Sequence, residues 1–192
     1  MFEKAALHIT EWMENNKIIE PDRMVVVKWG IRNILDTLFN LATFLTIGIL
    51  MHMPIETIVF TLGYIPLRSY AGGYHAKTPF RCWILSNFIL LLALLCVHYL
   101  SRCPFILWTL AILSIVILII LMPVSDIHKP LSDVDKHRYK RKGVYILLFE
   151  IIVSVLFSII NLQAITYSIF LVLIILSVML VLGKIKNKIC QK

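Results

Sequence analysis

The sequence predicts an all-α, polytopic integral membrane protein of about six transmembrane helices preceded by an amphipathic helix. Three observations carry that prediction. Hydrophobic residues make up 59% of the 192 positions, against about 45–50% in a soluble domain, and mean hydropathy is +0.86. Apolar runs of roughly 20 residues recur, the length an α-helix needs to cross a bilayer core. The charges then fall almost entirely on one side of the membrane once those runs are taken as spans.

From Phe2, apolar residues recur at Ala5, Ala6, Ile9, Trp12 and Met13, with Glu3, Lys4, Thr10, Glu11 and Glu14 opposite. The i, i+3, i+4 spacing marks an amphipathic helix. It either lies along the inner leaflet or packs on the protein's own cytosolic face. Asn15-Asn16 and Glu20-Pro21-Asp22 break it. A second helix begins near Asp22, read as an N-cap, within a cytoplasmic region of residues 1–32.

The spans are Ile34–Leu50, Pro54–Leu67, Trp83–Leu100, Pro104–Val124, Val144–Ile160 and Ala164–Leu182. The second is short and contains Glu56; extended to Ala71 it makes a full crossing, and unextended it reads as re-entrant. Charge favours the crossing. With six spans and both ends inside, Arg102 alone among the 19 lysines and arginines falls outside. The +8 charge thus sets topology and touches anionic lipid, and no nucleic-acid partner is needed to explain it. Cys82 and Cys190 lie inside, Cys96 within a span and Cys103 near the outer surface, which leaves no outer pair to bridge. No cleavable signal peptide is read, because Glu3 and Glu11 interrupt the place of its apolar core.

Asp36, Glu56 and Glu150 fall in or near spans, where an ionisable residue is costly and often functional; the alternative is a charge partner for Arg68 or an interfacial lysine. Residues 125–143 form a basic loop, a solvated topology determinant or a dock for an acidic peptide or lipid headgroups.

Chemistry concentrates in residues 68–82, R-S-Y-A-G-G-Y-H-A-K-T-P-F-R-C. On an unbroken helix His75 and Cys82 lie about 10 Å apart, too far for a nucleophile and its base. Pro79 disfavours helix at Thr78 and suits the first position of a new one. Thr78 becomes an N-cap, and Cys82 enters the first turn, where the helix dipole and Arg81 favour negative charge on sulfur. Ala76-Lys77 can fold His75 back onto it. Gly72-Gly73 permit backbone conformations closed to other residues and can present amides to an oxyanion. Ser86, one turn on, shares the Cys82 face. A zinc site competes weakly, since His128 and His137 are remote. No metal or cofactor is predicted.

This segment resembles the signature of the accessory gene regulator protein B (AgrB) family, membrane cysteine endopeptidases of bacterial peptide quorum sensing. The chain's size, basic N-terminal region, multiple spans and Lys129-Pro130 agree with it. The resemblance implies that Cys82 is the nucleophile and His75 its partner, with Arg68 and Gly73 at positions needed for activity. It implies a short AgrD propeptide as substrate, whose C-terminal part is removed and whose new carbonyl closes a thiolactone or lactone ring. Lys77, Lys129, Lys136, Arg138, Lys140, Arg141 and Lys142 would then receive that peptide's acidic tail. It further implies a homodimer in the cell membrane of a bacterium, with the site on the cytoplasmic side. A small multispan peptide transporter and a non-catalytic scaffold are the competing readings; the absence of inverted repeats with matching Gly/Pro breaks argues against an ion-coupled transporter.

Overall fold

The computed structural model describes residues 2–74, 78–125 and 132–190. Seven α-helices lie among them: α1 (Glu3–Asn15), α2 (Met24–Leu50), α3 (Pro54–Ala71), α4 (Pro79–Leu100), α5 (Pro104–Leu121), α6 (Asp133–Ile159) and α7 (Gln163–Cys190). Turns at 51–53, 101–103 and 160–162 reverse the chain, and the Gly72–Val124 and Tyr74–Met179 contacts bring the ends of α3, α5 and α7 together, beside the starts of α2, α4 and α6. The polar segment containing Cys82 lies at that end.

Five helices are long and apolar enough to cross a membrane: α2 with the turn before it, α4, α5, α6 and α7. α3 is not among them. Its Glu56, Thr57, Thr61, Arg68 and Ser69 dilute its hydropathy, but its 18 residues rise about 27 Å, close to a bilayer core. It packs against α2, α6 and α7, so protein rather than lipid covers much of its surface. Thr57, Phe60, Thr61, Tyr64, Leu67 and Ala71 are buried there.

α7 is the central post. Two thirds of its most apolar stretch (67%) is buried, against 22% for α5, although both have a mean hydropathy of 2.8. Val172, Leu173, Leu176 and Leu180 are fully enclosed by α3, α4, α5 and α6. Ser177 donates a 3.1 Å bond to Ser114 of α5, the kind of small polar contact that holds helices together where burying apolar surface gains nothing.

Two sequence expectations are revised, and a choice between two placements is settled. Asp22 does not cap α2: Pro21 fixes its own φ and starts a 3-10 turn, Pro21–Arg23, from which α2 continues at Met24 without a side-chain cap. Residues 133–143 of the basic segment are helix rather than loop. The Ser132 hydroxyl accepts the Asp135 amide at 3.1 Å and donates to the Asp135 carboxylate at 2.7 Å, a capping arrangement that starts α6 well before its apolar part. α1 folds back on α2, with Ala6 and Thr10 fully buried and Glu3 paired to Lys28 and Arg32 at 3.9 and 4.0 Å. Of the two placements open to α1, packing on the protein's own surface is the one adopted, and Trp12 stays 61% exposed.

Glu150 sits in α6 at 5% exposure, and both its oxygens lack a hydrogen-bond partner among the described residues. Among the described residues, neither Arg68 nor a lysine neutralises it. It lines a 400 Å³ apolar cavity with Gly63, Phe149, Val153 and Ile169. Because burying an unpaired polar group costs free energy, Glu150→Leu is expected to stabilise the protein by about 1–3 kcal/mol. The midpoint of thermal denaturation in detergent should rise by several degrees.

Candidate functional site

The site is assembled by the ends of α3 and α4 and by one face of α2. Thr78 adopts an extended conformation (φ −133°, ψ 150°), and its hydroxyl accepts the Arg81 amide at 3.3 Å. Pro79 is the first helical residue, and the Cys82 amide donates to the Thr78 carbonyl at 3.0 Å. Cys82 therefore lies in the first turn of α4, half-buried. Removing the cap in Thr78→Ala should cost about 1 kcal/mol. Hydrogen exchange should quicken at the first-turn amides of α4 and not in α5.

Cys82 opens onto a cavity of about 500 Å³. Ser86 and Trp83 line it from α4, Ile65 from α3, and Arg32, Asn33, Asp36 and Asn40 from α2. Asp36 pairs with Arg32 at 3.8 Å, one turn earlier. The Trp83 indole donates to Thr43 at 3.3 Å, and Phe39 packs on Trp83 with ring centroids 5.6 Å apart, so α2 and α4 are locked together beside the thiol.

The α2 wall was only partly legible in the sequence. Asp36 stands out as an ionisable residue, but Asn33, Thr37 and Asn40 recur around it at helical spacing within an apolar run, and that polar stripe was the available signal. Tyr64 carried no signal. It is 6% exposed, lies 5.7 Å below the Arg68 guanidinium, and its phenol is within electrostatic reach of Cys82. Glu56, weighed above as a charge partner for Arg68, stands in the first turn of α3, at the opposite end of that helix from Arg68.

Arg68, in the last turn of α3, donates from Nη2 to the Tyr74 carbonyl. Gly72 and Gly73 have φ of 76° and 110°, a region open to glycine and strained for other residues. They carry the chain out of α3 and between two neighbours. The Val124 amide donates to the Ala71 carbonyl at 2.9 Å, the Gly73 amide to the Val124 carbonyl at 3.2 Å, and the Tyr74 amide to the Met179 carbonyl at 3.1 Å. The Gly72 amide closes α3 on the Arg68 carbonyl at 2.9 Å. Both glycine amides proposed for an oxyanion are therefore engaged within the chain in this state. The Arg81 amide is taken by the Thr78 hydroxyl, which leaves the Phe80 amide, in the first turn of α4, as the alternative donor at the thiol.

Arg81 is exposed. His75, Lys77 and Lys129 lie outside the described residues; Tyr74 and Thr78, which flank the first two, are placed. Lys136, Arg138, Lys140, Arg141 and Lys142 are exposed along the start of α6 and do not line the Cys82 cavity. They are nevertheless anchored to the site end of α3, where Lys142 lies 5.4 Å from the Tyr70 ring centre and Tyr139 packs on Tyr70 at 5.7 Å.

A half-buried thiol at a helix start, facing a cavity that α2, α3 and α4 enclose, can attack a carbonyl held in that cavity. Comparison with known proteins gives the family. The family model described as "Accessory gene regulator B" matches residues 6–180. The "Accessory gene regulator protein B" of Staphylococcus saprophyticus is 25% identical over 69% of this chain and 71% of its own length. A "Putative AgrB-like protein" of Clostridium perfringens strain SM101 is 23% identical over 74% of this chain and 70% of its own. "Putative AgrB-like protein 2" of C. perfringens strain 13 is 23% identical over 81% and 77%. No solved structure gives a significant match. With its signature segment framing the thiol and the family model covering nearly the whole helical bundle, the chain belongs to the accessory gene regulator B family.

Proposed function

We propose that the protein is a membrane cysteine endopeptidase that cuts an AgrD-like propeptide and passes the acyl group to a nucleophile within the same peptide. Membership of the family supports a role in the agr quorum-sensing system. The observation that carries the finer reading is the placing of Cys82 in the first turn of α4, on the wall of a cavity that α2, α3 and α4 enclose.

The chemistry follows from the groups present. His75 takes the Cys82 proton, and the sulfur attacks the scissile carbonyl. The C–N bond breaks, and His75 returns the proton to the leaving amine. The C–S bond so formed is a thioester. A thiol of the bound peptide then displaces Cys82, giving a thiolactone and restoring the enzyme sulfur; a hydroxyl in its place gives a lactone. Ring closure outruns hydrolysis only if water is kept out and the internal nucleophile is held near, conditions suited to a cavity between helices in a bilayer.

The exposed basic residues at the start of α6, with Lys129 and Lys77, receive the acidic tail of the substrate. The site faces the cytoplasm of a bacterial cell membrane, as the basic residues predict, and the protein acts as a homodimer. Intact-mass measurement of the protein incubated with propeptide should show an adduct equal to the N-terminal fragment, released by neutral hydroxylamine and absent in Cys82→Ala. Cleavage that proceeds without any adduct in either protein would overturn the thioester route.

A further inference from the structure

The cavity at Cys82 adjoins a second, smaller one. This inner chamber, about 280 Å³, is lined by Asn40, Phe44, Tyr64, Ile65, Arg68 and Ser86, among others. Asn40, Ile65 and Ser86 belong to both, so the two meet one turn along α4 from the thiol.

Their walls differ in depth. The outer chamber follows α2 from Trp29 to Leu41 and includes the Arg32–Asp36 pair. The inner chamber reaches α2 only at Asn40 and Phe44, further along the helix towards the bilayer interior. Two of its lining residues carry unmet hydrogen-bonding atoms: Arg68 Nη1 and Asn40 Oδ1 are shielded from solvent and have no hydrogen-bond partner among the described residues, while the rest of the guanidinium meets Tyr64 and the Tyr74 carbonyl. An unmet donor and an unmet acceptor beside one cavity match the carbonyl and N–H of a peptide unit, and buried groups left unpaired are costly enough to favour such a ligand.

A peptide cut at Cys82 must extend both ways from the sulfur. After the first step the two halves have different fates. The amine half leaves through the open, charged side, whereas the acyl half stays on sulfur and must be kept from water until the ring closes. We propose that the inner chamber is the acyl-side subsite: it takes the side chain of the residue preceding the cut against Phe44, Tyr64 and Ile65, while Arg68 and Asn40 hold that residue's peptide unit. This assignment rests on the thiol-protease reading, and it makes Asn40 and Phe44 positioning and specificity residues.

The test uses the full chain in lipid vesicles, with synthetic propeptides varied on either side of the cut and products read by mass spectrometry. In the unaltered protein, Lys placed immediately before the cut, where it would be buried against Arg68, should lower kcat/KM at least 100-fold, and Lys immediately after it less than 10-fold. Phe44→Leu, which enlarges the chamber, should raise the Trp-to-Ala preference before the cut about 10-fold, and Ser69→Leu, at another residue of the chamber wall, should lower that preference by a similar factor. Neither should alter tolerance after the cut. The assignment is overturned if the preferences shift after the cut instead, or if the two Lys peptides are affected equally. Loss of cleavage of every peptide by both variants leaves the decision to the Lys pair, which needs no substitution in the protein. Cleavage that persists in Cys82→Ala refutes the protease reading itself, a result distinct from any of these.

Discussion

Cys82→Ala should abolish propeptide processing, lowering its rate by at least about 10³-fold, the scale on which removal of a covalent nucleophile acts. Cys82→Ser keeps an oxygen nucleophile at the same place but should also fall by several orders of magnitude. Its alcohol is far harder to ionise than a thiol, and an ester acyl-enzyme is a poorer donor to a peptide thiol. Ser86→Ala, one turn further on the same cavity wall, is the control; it should lose no more than about 10-fold because no bond is made to it. Co-expression with a propeptide, followed by mass spectrometry of the products, reads all three. A membrane-permeant alkylating reagent should label Cys82 and protect the substrate from cleavage, while an impermeant reagent added from outside should reach only Cys103, which is exposed at the opposite end. Undiminished processing by Cys82→Ala would remove the basis of the mechanism.

Gly72→Ala should be the most damaging single-methyl substitution in the chain. A Cβ built on Gly72 would lie 2.1 Å from the Val124 carbonyl oxygen, and the residue's φ of 76° is itself unfavourable for alanine. The opposing atom is backbone, held by the bridge between Gly72 and Val124, so it cannot swing away as a side-chain tip would. A cost of about 2–4 kcal/mol follows from strain and lost hydrogen bonds, seen as a thermal midpoint lowered by roughly 5–15 °C in detergent. Processing should fall with it, because the same backbone run fixes Tyr74 next to His75. Gly183→Ala should act similarly from the opposite side, its Cβ meeting Gly73 at 2.7 Å. Gly30→Ala provides the contrast. Nothing lies within 4 Å of a Cβ there, so it should be neutral or stabilise α2 by up to about 1 kcal/mol. Equal stability of Gly72→Ala and Gly30→Ala would mean that the Gly72–Val124 contact does not hold in the membrane.

Helix existence and the start of α4 were legible because their signals are local. Long apolar runs specify membrane helices, and Thr78-Pro79 specifies where a helix begins whatever surrounds it. The polar stripe of α2 was harder to read because Asn33, Thr37 and Asn40 carry no charge and each alone is unremarkable in a helix near an interface. Tyr64 and Phe44 were invisible as site residues, since an aromatic residue in a span reads the same whether it faces lipid, core or cavity. The α6 extension was missed because its charges read as loop, whereas the Ser132–Asp135 cap and packing on Tyr70 make them a solvated helix.

By itself the sequence determined that this chain is a helical membrane protein, which end of the bundle carries the charge, and that Cys82 lies in the first turn of a helix. Those properties follow from residue-to-water transfer energies and backbone restrictions that act over a few residues. Tertiary structure alone decided that α7 is enclosed while the equally apolar α5 is not, and that α2 supplies the wall facing the thiol. The physical reason is that lipid and protein interior are alike in polarity, so hydrophobicity places a helix in the membrane but cannot say which of its faces meets another helix.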